Sequence, residues 1–456
     1  MELLKSQMKI SPKIFRTYDI GGPYPQEIDE GISYLIGRAF VKFLKKSRLK
    51  IVVGQDNRLS SPRLSKSLIK GMVDQGAKVI DIGLSTTPML YFSVAHFKFD
   101  GGVNVTASHL PKEFNGFKLV RERAIPISNQ TGLKKIQNLV KKGKFLKKRK
   151  GKVLKKNIIR DYLNFNFKFL KISELKPLKI VIDTANAIPG ILIPYLKKSL
   201  PIKIYSLFDK LDGDFPNHQP NPLIKENLKF LKKEVLKRKA DFGVAFDGDG
   251  DRIIFVDEKG RIIPGDLISA LISKTLLRDF PNEKIIYDVR SSNVLPESIK
   301  GNGGIPISYR IGHALIKEKM RKEKVLFAGE LSGHYYSRSH YFCEAPIFVL
   351  SKILEEISQT GKNLSELIEP FKIYFHSGEI NFKVENKEKI LRLFEKKFKG
   401  GQISHLDGLR IDFKDWWFLA RPSGTENLLR LVVEAKTKEL MKKKKQILAN
   451  LITYFR

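Results

Sequence analysis

The chain has one cysteine, Cys343, in 456 residues, so it can build neither an intrachain disulfide nor a thiolate zinc cluster. That usage suits a reducing compartment. No apolar run approaches the length that crosses a bilayer. Residues 1–10 lack the uninterrupted apolar stretch of a secretory leader, so a cytoplasmic location with no membrane partner is expected. No Gly-x-Ser-x-Gly is present, which excludes an acyl-transfer elbow. Acidic residues are scarce, 48 against 84 Lys and Arg, giving a formal net charge of +36. Such an excess fits a nucleic-acid partner, an anionic substrate, or a lysine-rich surface. The densest basic runs, 141–150 and 442–445, match no nucleic-acid motif with interleaved aromatics and read as solvated faces. No specific nucleic-acid partner is expected, only weak salt-sensitive sticking to polyanions.

Against this basic background one acidic stretch stands out, Asp247-Gly-Asp-Gly-Asp251-Arg252. Three carboxylates at alternate positions, separated by glycines, can converge on one hard cation. Carboxylate oxygens suit Mg²⁺ or Ca²⁺, and Mg²⁺ keeps positions open for phosphate or water. An EF-hand loop shares the first, third and fifth aspartates and has Glu258 at its twelfth position. Arg252 stands where that loop needs glycine, and the flanks Phe242–Phe246 and Ile253–Val256 are β-type runs rather than helices. A solvated Asp/Gly hairpin turn is the bland alternative.

Elsewhere short β-type runs alternate with stretches of helical period. Residues 50–54, 78–82 and 101–105 are expected as strands and 64–73 as a helix; 179–183, 203–207, 284–288 and 324–328 continue the strands, with helices at 226–238 and 314–321. The tail changes type, with β runs at 378–384 and 428–434 and a closing helix over 438–455. The expected fold is α/β, three similar mixed α/β domains plus a C-terminal α+β domain around a central cleft. The expected domains are 1–152, 153–256, 257–370 and 371–456.

Four times a β run ends in a small polar loop, at 103–109, 243–249, 325–334 and 417–425. Ligands of open α/β sheets bind beyond the carboxyl ends of strands, so one such loop per domain suggests a shared site. Ser108, in Thr106-Ala-Ser-His109, could be a turn serine, or could carry a phosphoryl group opposite the aspartates. Arg421-Pro-Ser-Gly-Thr-Glu426 has the donors of a phosphate cradle, though an ordinary turn has them too. Glu330-Leu-Ser-Gly-His334 offers an acceptor carboxylate and a hydroxyl for sugar hydroxyls. His334 and Lys118 are candidate acid/base groups.

Together, and in this order, Thr106-Ala-Ser-His109, Asn115-Gly-Phe-Lys118, Asp247-Gly-Asp-Gly-Asp-Arg252, Gly329-Glu-Leu-Ser-Gly-His334 and Arg421-Pro-Ser-Gly-Thr-Glu426 resemble the active-site loops of the α-D-phosphohexomutase superfamily. Residues 14–20 and 212–222 share the likeness, which covers nearly the whole chain. It is most similar to the phosphomannomutase/phosphoglucomutase branch; the glucosamine branch usually has Gln where Leu331 stands. The resemblance implies reversible movement of a phosphoryl group between the 1- and 6-positions of mannose or glucose phosphate. It implies phospho-Ser108, a hexose 1,6-bisphosphate intermediate and activator, and Mg²⁺ held by Asp247, Asp249, Asp251 and the serine phosphate. The implied catalytic set is Ser108, His109, Lys118, Arg252 and His334. Tyr18, Arg290, His313, Glu330, Ser332, Arg421, Ser423, Gly424 and Thr425 would bind substrate, and a monomer is expected. Three departures bear on activity: Gly21 where the family commonly has Arg, Leu110 where it has Asn, and Glu344-Ala-Pro346 in place of an acidic, small-residue pair. The alternatives are a phosphoglucosamine mutase, a metal-dependent phosphatase, and a basic RNA-binding protein.

Overall fold

Runs rich in Ile and Val between Gly, Asp and Asn turns become buried strands because β-branched side chains pack well on a pleated, covered surface. The structure, a computed structural model, describes residues 10–146, 148–423 and 427–454. The chain falls into two compact units, residues 1–263 with 334–364 and residues 264–333 with 365–456.

The first unit holds two sheets. One runs in the order Ile20–Pro23, Phe114–Arg121, Gly101–Val105, Lys50–Gln55, Lys78–Leu84, Val153–Lys155, with Ile125–Pro126 beside Phe114–Arg121. Its central strands are parallel, and Phe114–Arg121 pairs antiparallel to Gly101–Val105. Helices Glu30–Leu44 and Ser61–Asp74 cover one face. They cross at Gly37 and Gly71, where a Cβ would come within 2.3 Å of Leu68 O and 2.1 Å of Tyr34 O, so no other residue fits either position. Helix Thr87–His96 is buried continuously from Thr87 to Val94, and its Phe92 ring packs on Tyr162 and Phe165 of the helix Ile159–Phe167. The second sheet is ordered Ile262–Ile263, Ile253–Asp257, Phe242–Phe246, Lys179–Asp183, Lys203–Leu207. The returning segment adds the hairpin Tyr335–Ser337 and Cys343–Glu344 and the helix Pro346–Thr360, whose Phe348 packs on His340 and Phe169.

In the second unit, Lys284–Asp288 lies between Ile305–Tyr309 and Phe327–Gly329, all parallel, with helices Gly265–Asp279, Val294–Gly301 and His313–Glu323. An antiparallel sheet follows, ordered Phe375–His376, Leu428–Ala435, Trp416–Pro422, Leu409–Asp412, Gln402–Ser404, with Ile380–Lys383 also on Leu428–Ala435. Helices Lys387–Lys397 and Lys438–Tyr454 close one face over Phe394, Phe418 and Leu448. Trp417, Leu419 and Val432 on the other face pack against Val289.

The expected mixed α/β domains followed by an α+β domain are therefore present. Two local differences have physical causes. The strand expected over 324–328 is Phe327–Gly329, because Lys324 adopts a left-handed conformation, φ +54°, that ends the preceding helix. Just past the domain boundary expected after residue 152 lies a strand that the sequence did not suggest, Val153–Lys155, parallel to Lys78–Leu84. Lys148 and Arg149 line, with Lys42, Lys45, Lys46 and Arg48, an open concavity of about 580 Å³. No helix among the described residues is long and apolar enough to cross a membrane.

Candidate active site

In the first unit the strand Gly101–Val105 delivers Ser108 to one end of its sheet, and Phe242–Phe246 delivers the aspartate loop. The two loops touch: a Cβ on Gly248 would lie 2.2 Å from Ser108 O, so glycine is what lets the chains approach. Ser108 is held in the left-handed region at φ +51°, a conformation that costs about 1–2 kcal/mol for a residue with a Cβ. Thr106 Oγ1 accepts from Ser108 N at 2.9 Å, and Arg58 fastens the rest. The Arg58 guanidinium, fully buried, donates to four carbonyl oxygens, those of Ser108, Leu110, Pro111 and Phe114, at 2.6–3.0 Å, while Asp56 balances its charge. Gln219 Nε2 donates to His109 O at 2.8 Å.

Asp247, Asp249 and Asp251 are buried and place one carboxylate oxygen each within 4.8 Å of the others. Ser108 Oγ donates to Asp247 Oδ2 at 2.8 Å and lies 3.2 Å from His109 Nδ1. Lys118 Nζ bonds Asp249 Oδ2 at 2.7 Å and Asp251 Oδ2 at 2.5 Å. Thr87 Oγ1 donates to Asp249 Oδ2 at 2.5 Å and accepts from Asn104 Nδ2 at 2.9 Å. Arg252 Nε lies 3.7 Å from Asp247 Oδ2 and 3.2 Å from His334 Nε2, which is itself 3.1 Å from Asp251 Oδ1. The single proton that His334 Nε2 can carry decides which of these two neighbours it bonds. Ser108, His109, Lys118, Arg252, His334 and the three aspartates, spread over more than two hundred positions, thus form one cluster.

Crowding three carboxylates away from water sets their protonation. Burial, then the neighbouring Asp251 and Asp249, raise the Asp247 carboxyl well above its usual range. Burial alone would raise Asp251 as well, but Lys118, His334 and Arg252 hold it well below. Lys118 is the mirror case: burial opposes its charge, Asp249 and Asp251 more than restore it, and the group stays an ammonium rather than a base. The Arg252 guanidinium and then burial depress His109 far below its ordinary value, so its imidazole is neutral. Asp249 Oδ1 is buried with no hydrogen-bond partner. An orphaned carboxylate oxygen facing two more carboxylates is what a hard divalent cation satisfies, so the residues fit a metal.

The second unit carries a different set. Arg290 is buried and grips Asp288 with Nη2 at 2.8 Å and Nε at 3.1 Å; Glu330 Oε2 lies 3.8 Å from its Nη2. Leu331 N donates to Asp288 Oδ2 at 2.8 Å, fixing the loop of Glu330 and Ser332. His313 opens the helix His313–Glu323. Arg421 ends the strand Trp416–Pro422 with Ser423 next, buried; Gly424 and Thr425 lie outside the described residues. Tyr18, half-buried in the turn before Ile20–Pro23, belongs to the first unit. Sequence reading missed Arg58, Thr87, Asn104 and Gln219. A strand-loop-helix pattern around Asp56-Asn-Arg58 was the only signal for the first.

Four family models match in succession: phosphoglucomutase/phosphomannomutase α/β/α domain I over residues 12–147, domain II over 159–260, domain III over 264–374, and the C-terminal domain over 379–451. The chain is 39% identical over 443 residues to a phosphomannomutase of Methanocaldococcus jannaschii, covering 96% of this chain and 97% of that one. It is 39% identical over 452 residues to a phosphomannomutase of Vibrio cholerae, covering 96% and 98%. A crystal structure of a phosphoglucomutase/phosphomannomutase family protein from Burkholderia thailandensis superposes with a TM-score of 0.90 at 30% identity, over 98% of each chain.

Proposed function

The chain belongs to the phosphoglucomutase/phosphomannomutase family and is a hexose-phosphate mutase, and from that premise we propose how its own residues move the phosphoryl group. Ser108 carries the phosphoryl. A free sugar hydroxyl attacks the phosphorus, the bond to Ser108 Oγ breaks, and the proton that leaves the sugar hydroxyl is carried by His109 to the serine oxygen. The bisphosphorylated sugar then returns its other phosphate to Ser108. Mg²⁺ held by Asp247, Asp249 and Asp251 would neutralise charge on the transferring oxygens. Lys118 and Arg252, both permanently charged, hold the aspartates in place and add positive field where negative charge builds. In the second unit Arg290, Arg421, Ser423, Gly424 and Thr425 bind the phosphate that is not in transfer, while Glu330 and Ser332 accept from the sugar hydroxyls.

The observation that carries this reading is the 2.8 Å bond from Ser108 Oγ to Asp247 Oδ2, which puts a serine hydroxyl against the carboxylate cluster with His109 Nδ1 beside it. A phosphatase would need only water as acceptor, and an RNA-binding protein would need none of this geometry. Mannose phosphate is proposed as a substrate, with glucose phosphate as the second. The test is a coupled assay with each hexose 1-phosphate and a trace of bisphosphate. Turnover is expected for the intact protein, and loss of at least a thousandfold for Ser108→Ala with the melting transition unchanged. Substantial turnover by Ser108→Ala would refute the phosphoserine. Release of inorganic phosphate without isomerisation would favour the phosphatase.

A further inference from the structure

Residues 212–222 supply no group to the chemistry, yet they hold both of the loops that do. Gln219 Nε2 donates to His109 O at 2.8 Å, and Pro220 O accepts from Gly248 N at 3.1 Å. Asn217 Nδ2 donates to Asn186 Oδ1 at 2.7 Å, and Asn186 O accepts from Asn57 Nδ2 at 2.8 Å, next to Arg58. His218 ties this strap to the second sheet. Its Nε2 lies 3.2 and 3.1 Å from the two carboxylate oxygens of Asp183, the last residue of the strand Lys179–Asp183, and its Nδ1 lies 2.9 Å from Gln219 O.

Both partners are oxygens that accept. A neutral imidazole has one N–H and one bare lone pair, so it can satisfy one contact and must set a lone pair against an oxygen at the other. Asp183 Oδ1 also accepts from Ala185 N at 2.9 Å, which favours the ionised carboxylate. Gln219 O is the knot of the strap, accepting in addition from Asn221 N at 2.7 Å and Asn227 Nδ2 at 2.9 Å. Only an imidazolium donates from both ring nitrogens. The surrounding charges agree. Burial opposes a charge on His218, Asp183 and then the Gln219 carbonyl favour it, Lys229 of the helix Lys229–Arg238 opposes it, and the balance raises the group above its usual value. Phe208 adds an uncharged ring whose centroid lies 5.5 Å away.

We propose that His218 is a positioning residue for the phosphoryl transfer: as an imidazolium it pins residues 212–222 to Asp183, and through Gln219 and Pro220 it keeps the Ser108 loop in register with the aspartate loop. This rests on the reading that Ser108 carries the phosphoryl group. Loss of the proton leaves one ring nitrogen facing an oxygen with no hydrogen between them, and the strap loosens. A folded-state pKa above the unfolded value of about 6.5 makes the contribution whole at lower pH and removes it as pH rises through the folded pKa. Turnover therefore falls on the alkaline side. A displacement of the reacting atoms well under 1 Å suffices, since 1 Å costs about a hundredfold.

The experiment uses the full-length protein labelled with ¹⁵N-histidine, the His218 signals being those missing from His218→Gln. Both of its nitrogens should be protonated at pH 7, and kcat with mannose 1-phosphate should fall on the alkaline side in step with loss of the second proton. His218→Gln should lose about tenfold in kcat with KM within about twofold, and its kcat should no longer follow that titration. Gln219→Ala keeps the His218 ring and cuts its tie to His109; it should lose kcat likewise, and it carries the kinetic test even where His218→Gln does not fold. A merely structural His218 would lower the melting transition without moving the pH profile. A neutral ring at pH 7, a His218→Gln variant with the pH profile of the parent, or an unchanged kcat in Gln219→Ala would overturn the inference and leave the phosphoserine standing. Turnover retained by Ser108→Ala would overturn the phosphoserine and the positioning role together.

Discussion

Lys118→Met removes the one ammonium that touches two of the three clustered carboxylates, at 2.7 Å from Asp249 and 2.5 Å from Asp251, and keeps most of the side-chain volume. Deleting one partner of a buried ion pair costs about 3–5 kcal/mol, because the remaining charge stays out of water. The first unit has about 290 residues, which at roughly 2.1 cal/mol/K per residue gives an unfolding entropy near 0.6 kcal/mol/K. Its transition in EDTA should therefore fall by about 5–8 °C. A divalent cation can then take over the oxygens that Lys118 vacates. Binding at a hundredfold excess over Kd stabilises by about 2.7 kcal/mol, so saturating MgCl₂ should recover about 4 °C in the variant. In the parent, Lys118 already satisfies Asp249 Oδ2 and Asp251 Oδ2, and the Mg²⁺ increment should be smaller. Scanning calorimetry in EDTA and over a Mg²⁺ series checks both numbers. Equal Mg²⁺ increments in the two proteins, or a parental transition in EDTA, would show that Lys118 does not compete with a cation for the aspartates.

Asp249→Asn removes the carboxylate charge that a cation would meet at the orphaned Oδ1; the Mg²⁺ concentration for half-maximal activity should rise more than tenfold, and an unchanged titration would exclude Asp249 as a ligand. Gly21→Arg is admitted by the backbone, because a Cβ there meets nothing closer than Asn115 O at 3.6 Å. Restoring the guanidinium the family commonly has should raise turnover at least twofold, and a fall would mean that Arg16, whose head group lies 3.9 Å from that Cβ position, already does its work. His340 is buried among Phe165, Phe169 and Phe348, and burial pushes its pKa down to about 3. An unfolded histidine titrates near 6.5, so the unfolded chain binds the extra proton first: stability is whole above about pH 6.5 and declines by about 1.4 kcal/mol per unit as pH falls toward 3. Urea midpoints from pH 7 to 4.5 should fall less steeply for His340→Gln than for the parent; parallel curves would exclude His340 as the source.

Much of the first-unit site was legible because its parts are short and local. The aspartates sit at alternate positions with glycines between, so their convergence follows from two strands and a tight turn, and Ser108 stands three residues beyond the end of the strand expected at 101–105. What holds these pieces could not be read. Arg58 is fifty positions from Ser108, and its use of four carbonyls appears in no motif, since backbone oxygens leave no trace in a sequence. Thr87 and Gln219 act through single bonds to residues more than one hundred positions away. The Val153–Lys155 strand was hidden by its lysines, which at a sheet edge keep their charged ends in solvent.

The helix Thr87–His96 has no solvent side over most of its length, and Phe92 lies against rings contributed from beyond residue 158. A fragment ending near residue 150 would strip Phe92 of the Tyr162 and Phe165 rings and would be expected to precipitate rather than persist as a free module. The same helix begins with the threonine that bonds Asp249, so its packing on residues 159–167 and its hold on the aspartate loop belong to one element. Recombining the front segment of this chain with the remainder of a distant relative should therefore fail at that helix first, before any residue of the chemistry has been altered.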